Sequence, residues 1–209
     1  MTITSRKSLR SKVRSRRRLL SQEEQNIAEK LLSDQLSQHK KIQSAQHIAI
    51  YLANDGELDP MDFILWCWSQ GKHVYLPVIH PFNHHNLLFL HYDKTTKLIA
   101  NKFGILEPTL NVNNVCPLSQ LDILVTPLVA FDTNGARLGM GGGFYDRTLA
   151  SWFSQQKQQK LTNVDATSQS RFHPIGIAHN CQLVETIPTE PWDIPLPEII
   201  TPSKRYTFE

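Results

Sequence analysis

Residues 137–146 of the chain read RLGMGGGFYD and place four of its nine glycines, Gly139, Gly141, Gly142 and Gly143, within five positions. Arg137 and Asp146 bracket them, and Phe144 and Tyr145 follow directly. The run comes after an apolar stretch that reads as a strand and opens a segment with helical periodicity. At such a junction, exposed amides and the positive end of the helix can hold an anion, and absent side chains let a phosphate approach the backbone. A phosphate site with a Mg²⁺ ligand and an aromatic platform needs a cation, a carboxylate and rings together. Two common nucleotide fingerprints are excluded. No GxxxxGK[ST] occurs, and Gly139-x-Gly141 would need glycine at 144, where Phe144 stands. Taken alone, the loop also reads as a tight strand-to-helix turn.

A second constellation is cationic. Arg6, Lys7, Arg10, Lys12, Arg14, Arg16, Arg17 and Arg18 precede the first acid, Glu23, leaving 14 basic against 19 acidic residues, a net of −5. The positive charge is therefore local. An Arg- and Ser-rich start can be an organelle transit peptide or an arm that binds nucleic acid. It can equally be a helix facing solvent, or one bringing cations to a phosphate-bearing substrate, and composition does not separate these two. His80, His84 and His85 flank Pro81 and Asn83 with no carboxylate or cysteine at ligand spacing, which favours a polar loop over a metal site. Cys67, Cys116 and Cys181 are dispersed without CxxC, so the expectation is a reducing, cytoplasmic compartment with neither disulfides nor structural zinc.

The elements that must position these groups follow from periodicity. A basic helix over about 4–20 precedes Ser21-Gln22-Glu23-Glu24, a capping box. Ile27, Leu31, Leu32 and Leu36 then give an amphipathic helix over 22–38. Residues 47–53 read as a buried strand, 60–70 as a helix stopped by Gly71, and 73–79 as another strand. Strand, helix, strand is the signature of an α/β fold. Residues 87–92 form a further strand candidate, and 101–117 look irregular. The most apolar segment, 121–131, is the expected central strand, and a helix follows over about 145–159. A polar surface insertion covers 154–171, and 174–178 is a last short strand before a proline-rich tail. One domain over 1–209 is expected: a three-layer sandwich with a mainly parallel central sheet flanked by helices. No run approaches the ~18 apolar residues of a membrane span.

The string Ala130-Phe131-Asp132-x-x-Gly135-x-Arg137-Leu138-Gly139-x-Gly141-Gly142-Gly143-Phe144-Tyr145-Asp146-Arg147 resembles the hallmark of the 5-formyltetrahydrofolate cyclo-ligase family, also called methenyltetrahydrofolate synthetases. The resemblance extends to Arg6-Lys7-Ser8-Leu9-Arg10, to Tyr51–Asp59 with Gly56-Glu57-Leu58-Asp59, and to Pro188-x-x-x-x-Asp193 through Ile200-Thr201-Pro202. It implies an ATP- and Mg²⁺-dependent ligase of folate one-carbon metabolism. Such an enzyme phosphorylates the formyl oxygen of 5-formyltetrahydrofolate and closes the ring to 5,10-methenyltetrahydrofolate, releasing ADP and phosphate.

The resemblance also implies roles. Arg6, Lys7 and Arg10 match an ATP-contacting motif, with Arg10 close to the reacting groups. Arg137, Leu138, Gly139, Met140, Gly141, Gly142, Gly143, Phe144 and Tyr145 match the nucleotide loop, with Arg10, Arg137 and Asp146 as catalytic candidates. Asp146 and Asp193 match Mg²⁺ ligands. Leu52 and Glu57 match the folate-contacting segment, together with Met140, Gly141, Gly142, Gly143 and Phe144, and Asp59 is a weaker candidate there. A carboxylate at 57 suits the donor edge of a pterin. Arg14 and Arg16–Arg18 are expected to be solvated. Met140 stands where relatives often carry Tyr or Arg, and Leu128 replaces a frequent Gly. The partners expected are small molecules, with neither nucleic acid nor membrane, and the chain is expected to be a monomer. Another ATP-dependent ligase on the same scaffold, or a nucleic-acid-binding module using the basic start, are the alternatives.

Overall fold

The computed structural model describes residues 5–83, 86–162 and 171–208. His84, His85 and residues 163–170 of the expected polar insertion lie outside these.

An eight-stranded sheet runs in the order β12-β11-β10-β7-β1-β2-β3-β6. Its members are β1 (His47–Ala49), β2 (His73–Ile79), β3 (Leu87–Tyr92), β6 (Val115–Cys116), β7 (Ile123–Pro127), β10 (His173–Ile177), β11 (Glu198–Ile200) and β12 (Arg205–Thr207). The five strands from β11 to β2 are parallel, and β12, β3 and β6 join antiparallel.

Side chains alternate across the sheet with period two. Ile48, Val74, Leu76, Ile123, Val125, Ile175 and Ile177 pack on one face with Leu32, Leu36, Ile42, Phe63 and Ile64. Those partners come from α2 (Gln22–Ser37), α3 (Lys40–Ser44) and α4 (Met61–Ser69). Ala49, Tyr75, Phe89, Leu124 and Ile199 face the other way, against Leu149 and Trp152 of α5 (Phe144–Thr162). Both faces are covered, so the parallel strands read as continuous apolar runs rather than alternating ones. Among the described residues, no helix is long and apolar enough to cross a membrane.

Several local expectations hold. Ser21 accepts from the Glu24 amide while Glu24 reaches back to the Ser21 amide at 2.8 Å, closing the capping box on α2. Others need correction. The apolar run 121–131 is not one strand: β7 ends at Pro127, which has no N–H to extend a ladder. The chain then turns into a hairpin of β8 (Ala130–Phe131) and β9 (Arg137–Leu138). The stretch read as irregular contains β6, and β5 (Leu106–Pro108) pairs with β4 (Leu98–Ala100). The proline-rich tail supplies β11 and β12, whose three-residue lengths are too short for a periodicity to register. The helix α5 continues to Thr162, into the segment expected to be an insertion.

A separate small core fixes the basic helix α1 (Arg6–Arg18). Leu9 and Val13 of α1 pack on Val129, Ala130, Leu138 and Ile187, so the helix lies on the β8–β9 hairpin. Strand order reverses between β1 and β7: from β1 the sheet grows towards β2, from β7 towards β10. In open α/β sheets, ligands bind beyond the carboxyl ends of the strands at such a reversal. The segments leaving β1 (50–60) and β7 (128–143) carry Leu52, Glu57 and the glycine loop, whereas Arg6, Lys7 and Arg10 come from α1, Asp146 from α5 and Asp193 from the tail.

Candidate active site

A cleft of about 530 Å³ opens between α1, the glycine loop with the start of α5, and residues 190–194. Arg6 and Arg10, one helical turn apart on α1, both line it. Arg10 donates from Nε to the Gly139 carbonyl at 2.8 Å. Among the described residues it has no carboxylate partner, so its charge is open to an incoming anion. Arg6 grips Asp193 with both terminal nitrogens, at 2.9 Å for the Nη2–Oδ1 bond, and also donates to the Pro188 carbonyl at 3.2 Å. Burial would raise the Asp193 pKa, but the Arg6 fork and the Glu190 amide hold it below the usual carboxylate range.

The loop's shape depends on its glycines. Gly141 and Gly143 have φ of 104° and 66°, and a Cβ on Gly143 would lie 2.6 Å from an Arg147 guanidinium nitrogen. L-residues with side chains rarely occupy that region. The Gly143 carbonyl accepts from the Arg147 amide at 3.1 Å, which starts α5. The first-turn amides of α5 have no intrahelical partner, and Asp146 sits in the same turn, where a carboxylate is favoured.

Arg137 is held from beneath the loop. It is 4% exposed, does not line the cleft, and donates to the Ile194 carbonyl at 3.1 Å and to Asp146 Oδ1 at 2.7 Å. Burial lowers its pKa, and the Asp146 charge opposes that. Through Asp146 it is tied to the cleft. Asp146 Oδ1 also accepts from the Ile194 amide at 3.2 Å, while no donor among the described residues reaches its Oδ2. This donor set fits a hard divalent cation: one open carboxylate oxygen on Asp146, and two on Asp193 that Arg6 now neutralises. Two carboxylates with substrate phosphates and water are the usual surroundings of Mg²⁺.

The remaining candidates divide. Leu138 is fully buried beneath α1, so its side chain is unavailable to a ligand. Lys7 and Met140 are exposed and do not line the cleft. The Phe144 ring packs against Gly142 and carries the Arg147 guanidinium 5.5 Å from its centroid. Leu52 packs against the α2–α4 face of the core.

Glu57 stands in the turn after β1, where its Oε2 accepts from the Asn54 amide at 3.2 Å. Burial pushes its pKa up to about 7, with Arg17 pulling the other way. Its charge is close enough to raise the pKa of Tyr145, a ring already raised by burial. Asp59 accepts from the Met61 amide at 2.9 Å and so holds the turn that enters α4.

Trp192 and Glu190 line the cleft without having been singled out in the sequence, as does Arg147, which the motif included without a role. Trp192 is 65% exposed beside Asp193, and a solvated tryptophan next to a candidate ligand is a signal that appears only in three dimensions. The expectation that Arg14 and Arg16–Arg18 are solvated fails for two of them. Arg17 is fully buried, and Arg14 and Arg17 each bind Asp55, as does the more exposed Arg18. The side chain of His80 accepts from the amides of Phe82 and Asn83 and so organises its own turn.

Residues 2–202 match the pattern of the 5-formyltetrahydrofolate cyclo-ligase family. The chain is 47% identical over 192 residues to a 5-formyltetrahydrofolate cyclo-ligase of Escherichia coli K12, covering 92% of this chain and 97% of the relative. A protein of the same name from Haemophilus influenzae is 46% identical over 200 residues, covering 96% and 99%. The fold matches the solved structure of Aquifex aeolicus 5,10-methenyltetrahydrofolate synthetase with a TM-score of 0.77 at 25% identity, covering 97% of this chain and 92% of that one. With a cation-lined cleft at the glycine loop and a family match across nearly its whole length, the chain belongs to the 5-formyltetrahydrofolate cyclo-ligase family.

Proposed function

We propose that the protein converts 5-formyltetrahydrofolate and ATP to 5,10-methenyltetrahydrofolate, ADP and phosphate. The observation that carries this reading is the convergence of Arg6, Arg10, the glycine loop, Asp146 and Asp193 on one cleft, in a chain of this family. The formyl oxygen attacks the γ-phosphorus, the bond to ADP breaks, and the N5 lone pair closes to an iminium phosphate. N10 then adds to the activated carbon and loses its proton, and phosphate leaves with the C–O electron pair. An amide oxygen is a poor leaving group and phosphate a good one, so the protein's task is chiefly orientation and charge stabilisation.

Arg10 and the loop amides hold the phosphates, and Arg6 reaches them by exchanging Asp193 for phosphate. Asp146 and Asp193 would hold Mg²⁺, which supplies charge neutralisation on the transferred phosphoryl group. Arg137 keeps Asp146 aimed at the cleft. Glu57 accepts from the donor edge of the pterin. Internal pairing of Arg6, Arg14, Arg17 and Arg18 with the chain's own carboxylates supports this use of α1 over nucleic-acid binding.

The test is optical: methenyl product is followed with 5-formyltetrahydrofolate, Mg²⁺, and ATP present or omitted. Product that requires ATP is expected, and folded protein giving none overturns the reading. The Glu57 assignment adds a pH dependence. Its ionised form binds the pterin, so kcat/KM for the folate falls about tenfold per unit as pH drops below about 7. Glu57→Gln is expected to lose that limb and about 10–100-fold in kcat/KM, the worth of charge-assisted hydrogen bonds. A limb unchanged in Glu57→Gln would assign the titration to another group.

A further inference from the structure

Arg17 is fully buried at the end of α1, on the same helical face as Leu9 and Val13. Its Nε and Nη2 donate to the Asp55 carbonyl at 3.1 and 2.8 Å, and Nη2 also reaches Asp55 Oδ2 at 3.0 Å. That accounts for two of its three nitrogens. The third, Nη1, is buried without a hydrogen-bond partner and stands 3.8 Å from Glu57 Oε1. A buried, unpartnered guanidinium nitrogen is costly, and the acid it stands beside is the one assigned to the substrate.

We propose that Arg17 is a positioning residue for substrate binding: it clamps the Asp55 turn and, through Nη1, orients the Glu57 carboxylate towards the pterin. This rests on the reading of Glu57 as the folate acceptor. Four charges on one helix thereby serve two subsites. Arg6 and Arg10 lie at the phosphate cleft, and Arg14 and Arg17 lie at the turn that presents Glu57. The Asn54 amide donates to the other Glu57 oxygen, so the carboxylate stands between a hydrogen bond on one side and the Arg17 charge on the other. An acceptor for two pterin donors must be ionised, and the adjacent guanidinium opposes the burial that would neutralise it.

Arg17→Met, Arg17→Lys and Arg18→Ala are compared with wild type after thermal unfolding confirms which of them fold. Arg17→Met is expected to raise the folate KM about tenfold with the KM for ATP within about twofold, and to move the acidic limb of kcat/KM up by about one pH unit. Arg17→Lys, which keeps the charge, should recover part of both effects and is the working variant if Arg17→Met does not fold. Arg18→Ala removes another Asp55 ligand but makes no contact with Glu57, so it should leave the limb in place. A folate KM and limb unchanged in a folded Arg17 variant would overturn the proposal.

Titration of the Glu57 carboxyl by ¹³C NMR in the ligand-free protein separates the two claims. A rise in Arg17→Met without folate turnover by wild type would retain the Arg17–Glu57 coupling, and the proposed function would fail. Normal turnover with an unmoved Glu57 titration would do the reverse.

Discussion

Asp146→Asn is expected to lower kcat by about 10²–10³-fold while leaving a folded protein, the range seen when one preorganised electrostatic contact to a transition state is removed. Asn keeps an oxygen where Oδ1 accepts from Arg137 and the Ile194 amide. What it changes is the open Oδ2, which becomes an amide group without charge. The loss should be accompanied by a higher Mg²⁺ requirement, measured as the metal concentration giving half-maximal rate at fixed ATP. Asp146→Ala is a poorer probe. It strands a guanidinium that is 4% exposed, and removing one partner of a buried pair costs about 3–5 kcal/mol. Near-wild-type kcat and metal requirement in Asp146→Asn would remove Asp146 from the site.

The second large effect is on stability. Asp55→Ala is expected to destabilise the protein by about 3–5 kcal/mol, measured by denaturant unfolding, because it removes the carboxylate hydrogen-bonded to the buried Arg17. Arg14 and Arg18 lose the same partner, but they are more exposed and contribute little alone. The pH dependence has a definite sign. Burial would raise the Asp55 pKa, but hydrogen bonds from Arg14 and Arg18 outweigh it and hold the carboxyl at about 2. A carboxyl depressed in the folded state stabilises above its unfolded pKa of about 4, and that contribution is lost as pH falls towards 2. The wild-type advantage over Asp55→Ala should therefore shrink across that window. A difference constant from pH 7 to pH 2 would show that the Asp55 charge is not what matters.

Both predictions concern arginines whose settings could not be read from spacing. Arg14, Arg16, Arg17 and Arg18 are equivalent along a chain; on a helix with Leu9 and Val13 inward, Arg17 falls on the same stripe and is carried into the interior. Whether that position finds a carboxylate depends on where the turn after β1 lies. Arg137 is a similar case. Its place in the glycine-loop motif points to phosphate, and spacing does not show that the return of residues 193–194 brings it the Ile194 carbonyl or that it pairs with Asp146 of α5.

The amino-acid sequence by itself determined the alternation of strands and helices, the capping box at Ser21, the anion-suited loop at the head of α5 and the family. These are set by contacts a few residues apart, or by a motif long enough to be specific. Tertiary structure decided the rest. The short strands β11 and β12 form only because a sheet edge is there to pair with. The buried charges of Arg17 and Arg137 are tolerated only because Asp55 and Asp146 arrive from other elements. Asp193 reaches Arg6 across 187 residues of chain. Burial and ion pairing depend on which distant segments meet, and local spacing carries no record of that.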